Sequence, residues 1–178
     1  VLNADQSLFS TDFRAAERTF QLVTQVAGRT GRGPKGGRVL VQTYSPDHPA
    51  VQAASRHDYA AFARAEIPMR EILHYPPFGR MIRLVIRGPR EQQTLDFATT
   101  MGERMQALLG RDAPTARVLG PAPAPFPRLR GKYRFQIQLQ IQGAMAEPLR
   151  AAVRDCQQNL PTPDDIQWIA DVDPWDML

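Results

Sequence analysis

Tyr133-Arg-Phe-Gln-Ile-Gln-Leu-Gln-Ile141 decides how this chain is read, because its apolar and polar residues alternate without a break. Successive side chains of a β-strand point to opposite sides, so strict alternation marks a strand with one face on a core and one face wet. Upstream, Arg80 to Arg87 has the same pattern, with Ile82, Leu84 and Ile86 on one side and arginines prominent on the other. Between these segments Leu95, Ala98, Met101, Met105 and Leu108 recur at helical spacing, and Arg117-Val-Leu119 reads as a short strand. Leu149, Ala152, Val153, Cys156 and Leu160 trace a second helix, and Ile166 to Val172 a last strand. The order β-α-β-β-α-β over residues 80–178 is that of a ferredoxin-like split βαβ domain, with helices on one face of an antiparallel sheet.

Before this domain, Tyr75-Pro-Pro-Phe-Gly79 stops any helix, since each proline biases its predecessor toward extended geometry. Residues 46–79 read as a helical connector ending in that hinge, with Val51, Ala54, Tyr59, Phe62, Ile67 and Ile72 available for burial. In residues 1–45, Val1 to Asp5 fits a short strand and Ser10-Thr11-Asp12 offers capping side chains. Phe13, Ala16, Phe20, Val23 and Ala27 then form one face of a helix, which Gly28 and Gly31 end. Arg38-Val-Leu-Val-Gln-Thr-Tyr44 reads as a β-branched strand. The predicted class is therefore α/β, a β-α-β segment followed by a connector and a ferredoxin-like domain.

Composition narrows the function. The chain has 178 residues, 43% hydrophobic and 22% charged, which suits one domain or two small ones. No apolar run is long enough to span a membrane, and no secretory signal is recognisable. Cys156 is the only cysteine, so an internal disulfide and a cysteine-cluster metal site are excluded, in keeping with a reducing cytoplasm. His48, His57 and His74 lack metal-ligand pairing. Net charge is +4, but it is unevenly spread: Arg80 to Arg134 holds eleven Lys or Arg against four Asp or Glu, and Phe135 to Leu178 two against seven. An anionic partner for the basic half is the natural inference.

Two segments carry candidate chemistry. Gln25-Val-Ala-Gly-Arg29-Thr-Gly-Arg32 lies between the expected helix and strand, and it resembles motif VI of superfamily-2 nucleic-acid helicases. Arginine suits such a site because its planar fork is always charged and can hold two phosphate oxygens. Gln25, one turn before Arg29, can place an amide beside the same phosphate or its attacking water. Gly31-x-Gly33-x-x-Gly36 matches the dinucleotide fingerprint only literally, since here the glycines follow a helix and precede a strand. A phosphate loop and a strand-borne Asp-Glu pair, which motor chemistry needs, are not among these residues. The second segment, Pro121 to Pro127, reads as a polyproline-like connector into Arg128-Leu-Arg130-Gly-Lys132-Tyr133-Arg134. If that stretch is extended, its alternate cations line one side about 7 Å apart and can follow a phosphate backbone, with Tyr133 beside them. Asp171-Val-Asp173 is read as an exposed carboxylate pair and not as a metal site.

Several runs then agree in order: Val1-Leu-Asn-Ala-Asp5, Phe13-Arg-Ala-Ala-Glu-Arg18, Gln25 to Arg32, His57-Asp-Tyr59, Tyr75-Pro-Pro-Phe78, Val118-Leu-Gly-Pro-Ala-Pro123, Leu129-Arg-Gly-Lys-Tyr-Arg134 and Asp171-Val-Asp-Pro174. Together they resemble the primosomal protein N-prime family of bacterial replication-restart helicases over nearly the whole chain. The resemblance implies the C-terminal part of an ATP-dependent 3′-to-5′ DNA helicase that recognises stalled forks and restarts replication through primosome assembly. It implies that residues 1–45 end the second RecA-like lobe, with Gln25, Arg29 and Arg32 acting on ATP and magnesium held mainly by other lobes. It further implies zinc in an upstream cysteine cluster, and a domain from about residue 80 that helps bind branched or single-stranded DNA and the tail of single-stranded DNA-binding protein, alongside other primosome proteins. On this footing the isolated chain is expected to be catalytically inactive. A free-standing nucleic-acid-binding module and a structural adaptor are the competing classes.

Overall fold

The computed structural model describes residues 3–10, 12–29 and 38–175. Between Met69 and Arg70 the chain divides into two units.

The first unit is helical. It comprises α1 (Asp5–Leu8), α2 (Ala15–Arg29), α3 (Pro49–Ser55) and most of α4 (Tyr59–Ile72). Asp12 starts α2: its carboxylate accepts the Arg14 N–H at 2.9 Å, and its carbonyl accepts the Ala15 N–H at 2.9 Å. The same carboxylate, almost wholly buried, meets Arg18 Nη1 at 3.1 Å. Pro49 opens α3, where its missing N–H costs nothing, and His48 Nδ1 accepts the Ala50 N–H at 3.2 Å. Leu8, Phe20, Val23, Ala50, Val51, Ala53, Ala54 and Phe62 form the core, in which the Phe20 and Phe62 rings stack at 4.8 Å. Tyr59, Ile67 and Ile72, expected to be available for burial, are exposed.

Neither strand expected in residues 1–45 forms among the described residues. Asn3 and Ala4 lead directly into α1, and residues 38–44 are extended without a ladder. The reason lies in pairing. A strand is stabilised by a neighbour along its length, and here the Ala4 N–H meets the Gln42 carbonyl at 3.0 Å without a ladder continuing from it. Side chains make the rest of the link, since the Asp5 carboxylate accepts Thr43 Oγ1 at 2.8 Å and the Tyr44 N–H at 3.0 Å. Val1, Leu2 and residues 30–37 lie outside the described residues, so the expected end of α2 at Gly31 does too.

The second unit has the ferredoxin-like order. Its elements are β1 (Gly79–Gly88), α5 (Glu91–Asp112), β2 (Arg117–Leu129), β3 (Lys132–Gln142), α6 (Glu147–Asn159) and β4 (Gln167–Val172). The sheet runs β2-β3-β1-β4 with every neighbouring pair antiparallel. Ile82, Leu84 and Ile86 of β1 and Phe135, Ile137, Leu139 and Ile141 of β3 face Ala98, Met101 and Met105 of α5 and Leu149, Ala152 and Cys156 of α6. The alternation of Tyr133 to Ile141 thus does what its period requires. Burial in this core raises the Cys156 thiol to about 11, so it is an inert packing residue.

β2 is much longer than the short strand expected at 117–119. It absorbs the Pro-rich segment, pairing Ala122 with Gln136 and Pro123 with Phe135, with register shifts on either side. Proline cannot donate to a ladder and is tolerated at a sheet edge, which is where β2 lies. The expected polyproline connector is therefore an irregular edge strand.

Two positions give direct tests of this packing. A Cβ on Gly79 would lie 2.2 Å from the His74 carbonyl oxygen and 2.7 Å from that of Ile141. Gly79→Ala should therefore destabilise the second unit by about 2–3 kcal/mol, read from the denaturant midpoint. Across the helices, Arg104 Nε donates to Asp155 Oδ2 at 2.5 Å. Hydrogen bonds from Arg104 and then Asn159 hold the Asp155 carboxyl below its ordinary value. The stabilisation is complete above the unfolded-state pKa and is lost as pH falls through the lower folded-state value. The thermal midpoint should drop below about pH 4, and less steeply in Asp155→Asn.

Candidate nucleic-acid interface

The face of the sheet away from α5 and α6 carries the charge. In the antiparallel register Arg87 of β1 lies directly opposite Arg134 of β3 and Gln167 of β4, while Arg83 lies opposite Gln138 and Asp171. Cross-strand partners share a face, so Arg83 and Arg87 of β1 and Lys132 and Arg134 of β3 stand on one face. At the Gly79 end of this face Met81 and Gln140 are buried; at the Gly88 end Arg87, Gln167 and Ile169 are exposed and Lys132 and Arg134 half-buried.

That exposed end contains a depression of about 300 Å³ lined by Arg87, Arg130, Lys132, Arg134, Gln167 and apolar neighbours including Ile169. Gln167 Oε1 accepts Arg87 Nε and Lys132 Nζ, each at 3.1 Å. Arg134 Nη1 reaches the Phe126 carbonyl at 3.4 Å. Burial, and then the like charges of Arg83 and Arg87, pull the Arg134 guanidinium below the usual arginine range. Like charges placed directly opposite on a ladder are destabilising, and an anion bound between them removes that penalty. Asp171 meets Arg83 at 3.9 Å, further along the face.

Residues 128–134 are not one extended segment. Leu129 pairs with Lys132, so Arg130 and Gly131 form a two-residue hairpin turn, and their φ values of 51° and 79° suit a type I′ turn. The turn folds the expected row of cations in half. Lys132 and Arg134 stand on the outer face with Arg130 at its rim, whereas Arg128, opposite Tyr133, lies on the helix side. There the Arg128 guanidinium sits over the Tyr133 ring at 5.1 Å, and the ring packs against the main core. Tyr133 is thus committed to an intramolecular contact. Arg83 and Arg87 were visible as the wet side of the first strand, but their meeting with Arg134 depends on strand register. Gln167 carried no sequence signal.

In the other unit, Gln25 and Arg29 are exposed and one turn apart on α2, with Arg29 its last residue. That spacing puts an amide and a guanidinium on one helix face. Arg32 lies outside the described residues. An amide N–H and a guanidinium can donate to phosphate oxygens, whereas neither is a carboxylate that could hold a metal. Among the described residues no group of three His, Cys, Asp or Glu is placed to hold a metal. Asp173 is engaged with Arg80 at 3.0 Å. No helix among the described residues is long and apolar enough to cross a membrane.

Fold and charge define a ferredoxin-like domain with a basic outer sheet face, preceded in the chain by a helical unit. Residues 71–175 match the family model described as Primosomal protein N C-terminal domain, and the chain belongs to that family. It is similar to Replication restart protein PriA of Synechocystis sp., 43% identical over 122 residues, covering 68% of this chain and 14% of that protein. The PriA of Chlamydia pneumoniae is 49% identical over 98 residues, 55% of this chain and 13% of that protein. That of Haemophilus influenzae is 36% identical over 178 residues, 99% of this chain and 24% of that protein. The chain therefore spans about a quarter or less of these relatives.

Proposed function

We propose that the exposed end of the outer sheet face binds the sugar-phosphate backbone of DNA. The observation that carries this is the cross-strand pair Arg87 and Arg134, gathered with Arg130 and Lys132 around one depression. No aromatic ring lines that depression, so the contact reads charge and spacing and not bases. Within replication restart, the proposed ligand of the domain is branched or single-stranded DNA. The acidic tail of single-stranded DNA-binding protein and other primosome proteins are further partners that the family resemblance supports.

In the longer protein the proposed activity is ATP-dependent 3′-to-5′ unwinding in the cytoplasm. Bound ATP would supply the phosphoryl group that passes to water, leaving ADP, and magnesium would offset charge on the phosphate oxygens. Gln25, Arg29 and Arg32 would orient and stabilise that charge, and zinc would belong to the upstream cysteine cluster that the family resemblance implies. The isolated chain is proposed to bind DNA without hydrolysing ATP.

Fluorescence anisotropy of a labelled single-stranded oligonucleotide across a salt series tests the binding. If four cations each neutralise a phosphate, log affinity falls against log salt with a slope of about −3, alike for all sequences. Salt-insensitive binding, or none at low salt, contradicts the proposal.

A further inference from the structure

Three strands converge on one neutral acceptor at the exposed end of the sheet. Gln167 of β4 receives both Arg87 Nε from β1 and Lys132 Nζ from β3 on a single amide oxygen. A carboxylate between two cations gains charge-assisted bonds to both, and it is the group usually found there. Elsewhere the C-terminal region meets single arginines with carboxylates. Asp165 meets Arg90 at 2.8 Å, Asp171 meets Arg83 at 3.9 Å, and Asp173 meets Arg80 at 3.0 Å. At position 167 an amide stands in the place a carboxylate would fit.

We propose that Gln167 is a positioning residue for the phosphate ligand, aligning Arg87 and Lys132 toward a phosphodiester without cancelling their charge. The inference rests on the backbone-binding reading of this face. An amide oxygen fixes the direction of two donors while adding no charge. Arg87 keeps both terminal nitrogens, and Lys132 its remaining N–H groups, for a ligand. The lining agrees, since Arg87, Arg130, Lys132 and Arg134 surround the depression and no carboxylate is among its described lining residues. A glutamate at 167 would form an internal ion pair with the same donors and compete with the phosphate for them.

The test compares Gln167→Glu with Gln167→Ala in the 178-residue chain, using a labelled single-stranded oligonucleotide and a thermal melt. Gln167→Glu should weaken binding about 10-fold or more and make the salt slope shallower by about one, as one fewer phosphate is neutralised. Its thermal midpoint should stay level or rise. Gln167→Ala should weaken binding about threefold and keep the slope, because the alignment of Arg87 and Lys132 is lost while their charges remain. Equal losses in the two variants, unchanged binding in either of them, or a loss accompanied by a lower midpoint would overturn the inference. Arg87→Ala/Arg134→Ala serves as the control for the underlying reading. If it weakens binding while Gln167→Glu does not, the inference alone fails. If it binds like the unsubstituted chain, or if that chain does not bind, the reading fails and the inference with it.

Discussion

Replacing Arg87 and Arg134 together by alanine lowers the affinity of the chain for DNA about 100-fold at low salt. Each guanidinium is expected to give a charge-assisted contact of about 1.5 kcal/mol, and two such contacts come to about 3 kcal/mol. The fold should not suffer. The two residues are direct cross-strand partners of like charge, so their removal relieves repulsion within the β1–β3 ladder. The denaturant midpoint should therefore hold or rise while affinity collapses. A loss of affinity that tracks a loss of stability would point instead to a structural pair.

If the proposed ATP-dependent activity holds for a full-length protein carrying this chain, an equally large effect is expected there at Arg29. Arg29→Ala should lower ATP turnover by about two orders of magnitude, close to 3 kcal/mol of transition-state stabilisation. Nucleotide affinity should change far less, because a positioned guanidinium acts mainly on charge that develops during transfer. Lysine should not restore turnover if the contact is bidentate. Arg29 is exposed at the end of α2 and holds up no core, so reduced activity would not reflect misfolding. Steady-state kinetics that find normal turnover would leave Arg29 as a solvated helix end.

The split βαβ order was legible because each core segment declares its period. Tyr133 to Ile141 alternates, and Ala98, Met101 and Met105 recur at helical spacing, and all of them bury the side the pattern selects. The edge strand was less legible. Prolines at 121, 123, 125 and 127 argue against a ladder, and only a position at the sheet edge reconciles them with β2. The hairpin was missed although Gly131 marks it: alternating cations suggested one extended run, while a turn at Arg130 and Gly131 sends Arg128 to one face and Lys132 and Arg134 to the other. Register is a property of paired strands, so no single segment reveals that Arg87 will meet Arg134. In residues 38–44, β-branched composition suggested a strand, but propensity does not form a ladder without a partner along its length.

The two faces of the hairpin allow one comparison to decide where DNA binds. Arg128 and Arg134 lie in the same basic run, yet the register sets them on opposite sides of the sheet, with Arg128 held over the Tyr133 ring. The measurement is the salt dependence of oligonucleotide affinity for Arg134→Ala beside Arg128→Ala. The outer-face account predicts that Arg134→Ala flattens the slope by about 0.7–0.9 and weakens all sequences alike, while Arg128→Ala keeps the slope of the unsubstituted chain. Equal flattening by both substitutions, or flattening by Arg128→Ala alone, would contradict it.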